Sequence, residues 1–494
     1  MKKIRTRFAP SPTGYMHVGN FRTALYAFLF AKQNKGDFIL RIEDTDKKRQ
    51  IENGVEKLIK IINWAGFEYS EGVFWEEGKL VQKGDFGPYI QSERLKIYQD
   101  YAQKLVEKGL AYHCFCSAER LEKMRQVQKA EKLPPMYDRK CLQLSPEEVK
   151  KRIAAGEKYV IRQKMRTEGA TEFVDLIRQK VVIKNNQLDD QILMKSDGFP
   201  TYNFANVIDD HLMAITHVFR GEEYVSSTPK YIQLYENFNW EVPCFVHLPL
   251  LLNTDRSKLS KRQGDVAVED YIAKGYLREA IINFVALLGW NPGGGNNQEI
   301  FSLEELVKNF QLEKVHKSGA IFDLKKLDWL NGQYIKRKSP QELLELSRGF
   351  LQEFCQKNNW PEKEELFLKI VSVEKERMKK IADILENLAI YFHLPEYTKE
   401  ILFWKGMDIK AVKNNLVKAE EILEELEETA SLEEITKKIL LASGENRGEL
   451  LWPMRVALSG KEKSPSPFEL IWALGKKESL RRIKRALEKL EENK

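Results

Sequence analysis

The chain opens on a strand, a tight turn, a long apolar helix and a second strand, and that order leaves few folds open. Residues Ile4–Ala9 alternate in strand fashion, and the run Pro10-Ser11-Pro12-Thr13-Gly14 then breaks the extended chain. Val18–Lys32 carries Ala, Leu and Phe at helical spacing. Phe38–Glu43 reads as the next strand, Asp44-Thr45-Asp46 follows it, and helical periodicity resumes across Gly54–Trp64. Strands joined through a helix lie parallel in one sheet, with the helix as crossover, so the expected fold class is α/β.

Beyond Gln91 a helix runs through Glu107, followed by a cysteine-bearing segment and a charged helix over Ala118–Lys132. Strand-like runs at Tyr159–Arg166 and Lys180–Ile183 suggest a mixed insertion, after which the parallel-sheet pattern returns over Ile192–Val207 and Ala214–Phe219. From Glu269 onward the pattern is almost wholly helical. Its long stretches are Gln341–Gln356, Glu362–Tyr391, Ile409–Thr429, Leu432–Ala442 and Glu478–Glu492. The basic run Arg481–Arg485 reads as a solvated helix face. A length of 494 residues with 43% hydrophobic content implies several globular domains. A net charge of +7 permits a polyanionic partner without demanding one. Five scattered cysteines argue against a disulfide framework. The charged start has no apolar signal core, and no apolar stretch is long enough to cross a bilayer; the cytoplasm is the expected home.

Two segments carry chemistry. In the first, a helix starts near Val18 directly after the Pro-Gly turn, so its N–H groups and dipole favour a phosphate. Gly19 lets a ligand approach the backbone, and His17 can donate to a phosphate oxygen as charge develops. The second, Asn253–Asp265, is polar and basic, and its lysines can close over a triphosphate. Alone, the first is more simply a capped helix with an incidental histidine, and the second a solvated turn.

Together, His17-Val18-Gly19-Asn20 and Lys258-Leu259-Ser260-Lys261-Arg262 resemble the two ATP-handling signatures of class I aminoacyl-tRNA synthetases. The flanks narrow the resemblance to the glutamyl and glutaminyl branch. They are Arg7–Gly14, Arg41–Asp46, Gly87–Arg94, Gly198–Asp210 and Val218–Glu223, in order across residues 4–330. Val18, Asn20, Leu259 and Arg262 depart from the general consensus in the manner of the glutamyl branch. The resemblance implies a Rossmann-type parallel-sheet catalytic domain with an acceptor-binding insertion, followed by an all-α anticodon-binding region. The boundaries it suggests are 1–100 and 196–255 for the two catalytic halves, 101–195 for the insertion, 256–325 for the lysine loop and stem-contact domain, and 326–494 for the anticodon region.

It also implies roles. Arg7 and Arg220 would grip carboxylates of glutamate, Arg220 the side-chain one, and Glu43 would hold the ammonium, assisted by Ala9, Ser11, Tyr202 and Asn206. ATP, with Mg²⁺, would meet Thr13, Gly14, His17, Gly19, Asn20, Glu223 and the loop Lys258–Arg262. His17, Lys258 and Lys261 would stabilise transition-state charge. Without the family pattern, Arg7 is a strand-edge charge and Arg220 a surface ion-pair partner. Arg377 falls where the family places an anticodon-reading arginine. The helical tail is unlike the β-barrels that end glutaminyl enzymes, and the chain outruns the short paralogue that lacks an anticodon region. The implied partners are tRNA(Glu), with tRNA(Gln) an alternative, and the expected state is a monomer. A catalytically dead tRNA-binding relative is a further alternative, although His17, Lys258 and Lys261 are intact.

Cys114, Cys116 and Cys141 fall in one short insertion, and three thiolates suit a structural zinc with a fourth oxygen or nitrogen ligand. Three reduced cysteines without metal are the plain alternative. The spacing resembles the zinc element of some glutamyl synthetases, in which a tyrosine, or a histidine two residues past the last cysteine, completes the site. That later position is Gln143, which leaves Tyr137 as the implied ligand.

Overall fold

The computed structural model describes residues 2–259, 266–295 and 297–492. The chain divides into two compact units, one of Met1–Ile272 with Ile281–Leu324, the other of Ala273–Ala280 with Lys325–Lys494.

In the first unit, β1 (Arg5–Phe8) is buried along its whole length and leads through the Pro-Gly turn into α1 (Val18–Gln33). Ten of the residues of α1 are buried, so this helix is covered nearly all round. β2 (Asp37–Leu40) returns parallel to β1, from Arg5 opposite Asp37 to Phe8 opposite Leu40. α2 (Gly54–Trp64) crosses over to β3 (Glu71–Glu76), parallel to β2, and β4 (Lys79–Lys83) closes that edge as an antiparallel hairpin. After α3 (Leu95–Glu107) come β5 (Ala111–Cys114), α4 (Ala118–Ala130), α5 (Pro146–Ala154) and β6 (Val160–Gln163). β7 (Ala170–Asp175), β8 (Gln179–Lys184), β9 (Ile192–Met194), α6 (Tyr202–Leu212), β10 (His217–Gly221), α7 (Thr228–Asn237) and β11 (Cys244–Leu248) follow.

The large sheet has the order β4-β3-β2-β1-β10-β11-β7-β8 and is parallel from β3 through to β7. The chain leaves β1 for β2 on one side and returns to β10 on the other, so the order reverses between β1 and β10. In such sheets the crevice beyond the carboxyl ends of the two diverging strands is the ligand site. Ala9, Glu43 and Gly221 all follow or end the strands that open onto this crevice.

Three sequence expectations are revised. The run Ile192–Val207 does not rejoin the parallel sheet: β9 pairs antiparallel with β6, in a separate three-stranded sheet with β5, and Tyr202 onward is helix. The hairpin β7–β8, inside the span read as insertion, instead extends the large sheet beside β11. In the second unit, Glu362–Tyr391 is not one helix. Glu364–Glu374 ends, and Leu385–Phe392 begins after a short 3₁₀ turn, because the Asp383 carboxylate accepts from the backbone N–H groups of Lys379 and Lys380 at 2.9 and 3.0 Å. A side chain that satisfies two backbone donors locally competes with helix continuation.

The second unit is otherwise helical among its described residues, with capping boxes at Ser339/Glu342, Ser431/Glu434 and Ser466/Glu469 setting helix starts. The basic run on its last helix, Lys476–Glu491, is not uniformly solvated. Arg482 is fully buried and donates to the carbonyls of Ile390 and Leu458 at 2.8 and 2.6 Å, while its neighbour Arg481 stays exposed.

Candidate active site

The crevice is built on a buried chain of alternating charges. Asp210, at the end of α6, accepts from Arg7 Nε and Nη2 at 3.0 and 3.2 Å and from Arg41 Nη1 at 2.8 Å. Arg41, wholly buried, donates from Nη2 to Glu43 at 3.0 Å. Asp209 beside it accepts from Arg94 Nε and Gln91 Nε2, each at 2.8 Å, and from Tyr98. Charges out of water must be paired, and here each arginine meets at least one carboxylate. Burial alone would raise the Asp210 carboxyl, but Arg7 and Arg41 outweigh it and hold it below the usual aspartate range. At Glu43 the balance reverses: burial pushes its carboxyl up, against the pull of Arg41 and Arg7.

A cavity of about 410 Å³ opens on this network. Its lining includes Arg7, Ala9, Ser11, Glu43, Tyr202 and Arg220 of the expected glutamate set, and Thr13, Asn20 and Glu223 of the expected ATP set. Asn206 does not line it; its amide donates to the Tyr202 carbonyl at 2.6 Å. Arg7 lines it with a guanidinium already committed, since Nη1 also donates to the Phe219 carbonyl at 3.3 Å. Arg220 differs. It is buried yet bonds no carboxylate among the described residues: Nε donates to His247 Nε2 at 3.0 Å and Nη2 to Thr228 Oγ1 at 2.9 Å. Its guanidinium lies over the rings of Tyr231 and Phe245, with centroids 4.5 and 4.9 Å away. The cavity therefore presents one buried cation lacking an internal counter-charge and, opposite in sign, Glu43.

A smaller neighbouring cavity, about 90 Å³, is lined by His17, Gly19, Asn20, Glu223, Lys258 and Leu259 among others. Gly14 lines neither cavity. His17 is the N-cap of α1: its Nδ1 accepts from Gly19 N–H at 2.9 Å, which places the ring proton of the neutral form on Nε2. A Cβ at Gly19 would come within 3.1 Å of that Nδ1, so the glycine makes room for the histidine itself. Val18 N–H donates to Val266 O at 2.8 Å and Val268 N–H to Met16 O at 2.9 Å. Leu259 N–H donates to Leu251 O at 2.9 Å. The described residues on both sides of the lysine loop are thus pinned beside the small cavity; Ser260, Lys261 and Arg262 lie outside the described residues.

The expected metal ligands converge. The sulfurs of Cys114, Cys116 and Cys141 lie within 4.8 Å of one another, and Tyr137 Oη is 3.3 Å from both Cys114 and Cys116. Arg120 Nη1 donates to Cys116 Sγ at 3.3 Å, and Arg162 lies over the Tyr137 ring, two cations that offset thiolate charge. In the second unit, Arg377 donates to the Val373 carbonyl and to Glu469, each at 2.7 Å, and stays partly exposed.

Sequence reasoning gave no role to Arg41, Asp209, Asp210, Asp175, Thr228 or His247. Two signals pointed to three of them: consecutive acids, Asp209 and Asp210, ending the apolar stretch Phe204–Ile208, and His247 inside the apolar strand Phe245–Leu248.

A mostly parallel α/β sheet with an ionic crevice at its switch point, a histidine-capped helix and a basic loop define a nucleotide-binding enzyme fold. The family model "tRNA synthetases class I (E and Q), catalytic domain" matches residues 3–329, and "Anticodon binding domain" matches 342–487. The glutamate–tRNA ligase of Alkaliphilus metalliredigens is 46% identical, over 99% of this chain and 100% of its own. That of Clostridium botulinum (strain Eklund 17B) is 48% identical over 99% of each. The crystal structure of a glutamate tRNA ligase from Elizabethkingia meningosepticum, in complex with its amino acid, superposes with a TM-score of 0.86 at 37% identity, covering 99% of both chains. The chain belongs to the class I tRNA synthetase family of the E and Q branch.

Replacing Asp210 by Asn leaves Arg7 and Arg41 as uncompensated buried cations, with an expected cost of about 3–5 kcal/mol in denaturant unfolding at neutral pH. Because the folded carboxyl titrates below its ordinary 3.8, Asp210 contributes stability that is complete above that value and lost as pH falls through the folded one. The Asn variant is expected to lose correspondingly less over that acid window.

Proposed function

We propose that this chain joins L-glutamate to tRNA(Glu) at the expense of ATP, through glutamyl-adenylate, with release of pyrophosphate and AMP. The observation that carries the choice of amino acid is the pairing of Arg220, a buried cation without a counter-ion among the described residues, with Glu43 in one cavity. A substrate with a side-chain carboxylate and an α-ammonium supplies the counter-charge for Arg220 and meets Glu43, which Arg41 holds at 3.0 Å, with a second cation. The names of the relatives matched over nearly their full length support the same reading.

In the mechanism, Glu43 takes the ammonium and Arg220 the side-chain carboxylate, which leaves the α-carboxylate to attack the α-phosphorus of ATP. No side-chain nucleophile is needed; positioning and charge stabilisation lower the barrier. The phosphates occupy the small cavity, where the N-terminus of α1, His17 Nε2–H and Lys258 meet the negative charge that shifts toward pyrophosphate. Lys261, in the same loop, helps to neutralise this charge. Mg²⁺ travels with ATP and neutralises its phosphates. The terminal ribose hydroxyl of tRNA then takes the glutamyl group, releasing AMP. Arg377 reads the anticodon from the helical unit, and the protein works as a cytoplasmic monomer.

Cys114, Cys116, Cys141 and Tyr137 suit a tetrahedral zinc in ligand type and mutual spacing, and the metal would hold the strand β5 to the segment 137–141.

Two outcomes are expected. With tRNA present, the purified protein exchanges pyrophosphate in a glutamate-dependent manner and charges glutamate tRNA transcripts, and Lys258→Ala or His17→Ala lowers kcat by about 10²–10³-fold. Tight tRNA binding without exchange would overturn the enzyme reading, and parallel charging of glutamine tRNA would widen it. Elemental analysis should find one zinc per chain. Cys141→Ser should abolish that stoichiometry and Tyr137→Phe weaken zinc binding about tenfold or more in chelator competition. A wild-type protein purified in zinc-supplemented medium without zinc would refute the site.

A further inference from the structure

Behind Arg220 lies a second buried array. Asp175, at the end of β7, and His247, in β11, are both fully buried. Asp175 Oδ1 accepts from the backbone N–H groups of Ile177 and Arg178 at 3.0 and 2.8 Å. Its Oδ2 accepts from His247 N–H at 3.0 Å and lies 2.7 Å from His247 Nδ1. An ionised carboxylate only accepts, so Nδ1 carries the proton, and the neutral ring presents Nε2 as an acceptor. Arg220 Nε–H, which can only donate, points its bond at that lone pair over 3.0 Å. Thr228 Oγ1 accepts from Arg220 Nη2 and donates to the Tyr224 carbonyl at 2.9 Å. Nη1 is left without a protein hydrogen bond among the described residues.

We infer that Asp175 and His247 are positioning residues for substrate recognition: Asp175 fixes the histidine tautomer, and the histidine holds the inner edge of the Arg220 guanidinium so that its outer edge receives the side-chain carboxylate of the amino acid. The inference rests on the glutamate-ligating reading above and names the device that orients its specificity cation. A neutral anchor suits this task. A carboxylate in place of His247 would cancel the arginine's charge, whereas an imidazole fixes the geometry and leaves the charge for the ligand. Were His247 protonated, two N–H donors would face each other across the same 3.0 Å. Burial lowers the imidazole against the pull of Asp175, and Arg220 and Arg178 add to the lowering. The charged groups around the ring are Asp175, Arg220 and Arg178.

The test is steady-state aminoacylation with tRNA present, varying glutamate and ATP separately. His247→Phe keeps the ring volume and removes the acceptor, while Asp175 retains its three backbone donors. The expected result is a rise in the KM for glutamate of at least tenfold, with the KM for ATP and kcat within about threefold of wild type. His247→Gln, which restores an acceptor to Arg220 Nε, should recover most of that loss. Should the Phe variant fail to fold, Thr228→Val removes the other partner on the same inner edge, where Thr228 Oγ1 lies 3.1 Å from His247 Nε2, and should raise the same KM. In wild type the KM for glutamate should climb as pH falls through the His247 pKa, below the ordinary 6.5, and the Gln variant should not follow. An unchanged glutamate KM in a folded Phe variant, or equal losses for glutamate and ATP, would overturn the inference while leaving the functional reading intact. A wild-type protein that charges no tRNA with glutamate would instead defeat the functional reading, and this inference with it.

Discussion

The structure depends on one buried carboxylate held between two arginines. Asp210 accepts from Arg7 on β1 and Arg41 just beyond β2, and so ties the end of α6 to the two strands that begin the sheet. From Arg41 the network runs to Glu43 on one side and to Asp209 and Arg94 on the other. Buried ion pairs add little net stability over an apolar core, because desolvation offsets attraction. What such a network supplies is geometry: a broken contact strands a charge, so the members hold one arrangement. Glu43 thereby faces the cavity with its carboxylate fixed from behind by Arg41.

Arg220 on β10 is the counterpart on the other side of the strand reversal. It is buried as deeply as Arg7, yet is held by neutral groups, His247 and Thr228. Internal pairing at Arg7 and Arg41 therefore leaves Arg220, among the described residues, as the cavity's buried cation with charge to spare. In the function proposed above, the two kinds of arginine divide the labour between building the crevice and selecting its occupant. The same proposal places nucleotide chemistry at the smaller cavity, where α1 begins at His17 and the described residues on both sides of the lysine loop are anchored.

Much of this was legible in the sequence, and the exceptions have physical causes. Strand, turn and helix boundaries around β1, α1, β2 and α2 follow from local periodicity and the Pro-Gly punctuation. Most expected pocket residues line one of the two cavities because they stand at strand ends or the first helical turn, positions fixed by local structure. Partnership across the sheet was not legible. Asp210 and Arg7 are far apart in sequence, as are Asp175 and His247, and no local pattern states that a given acid will meet a given base. The hairpin β7–β8 looked like part of the insertion because its place beside β11 is a tertiary choice. The break after Glu374 was hidden because Asp383 acts through two backbone donors rather than through a proline or glycine.

The central claim is that Arg220 and Glu43 together read a dicarboxylic amino acid while Asp210 keeps Arg7 and Arg41 in place. A crystal structure with a non-hydrolysable analogue of glutamyl-adenylate tests it most directly. The side-chain carboxylate is expected on Arg220 Nη1, the ammonium on Glu43, and Asp210 still bonded to both of its arginines. A side-chain carboxylate lying away from Arg220, or an Asp210 released from Arg7 and Arg41 in the bound state, would contradict it.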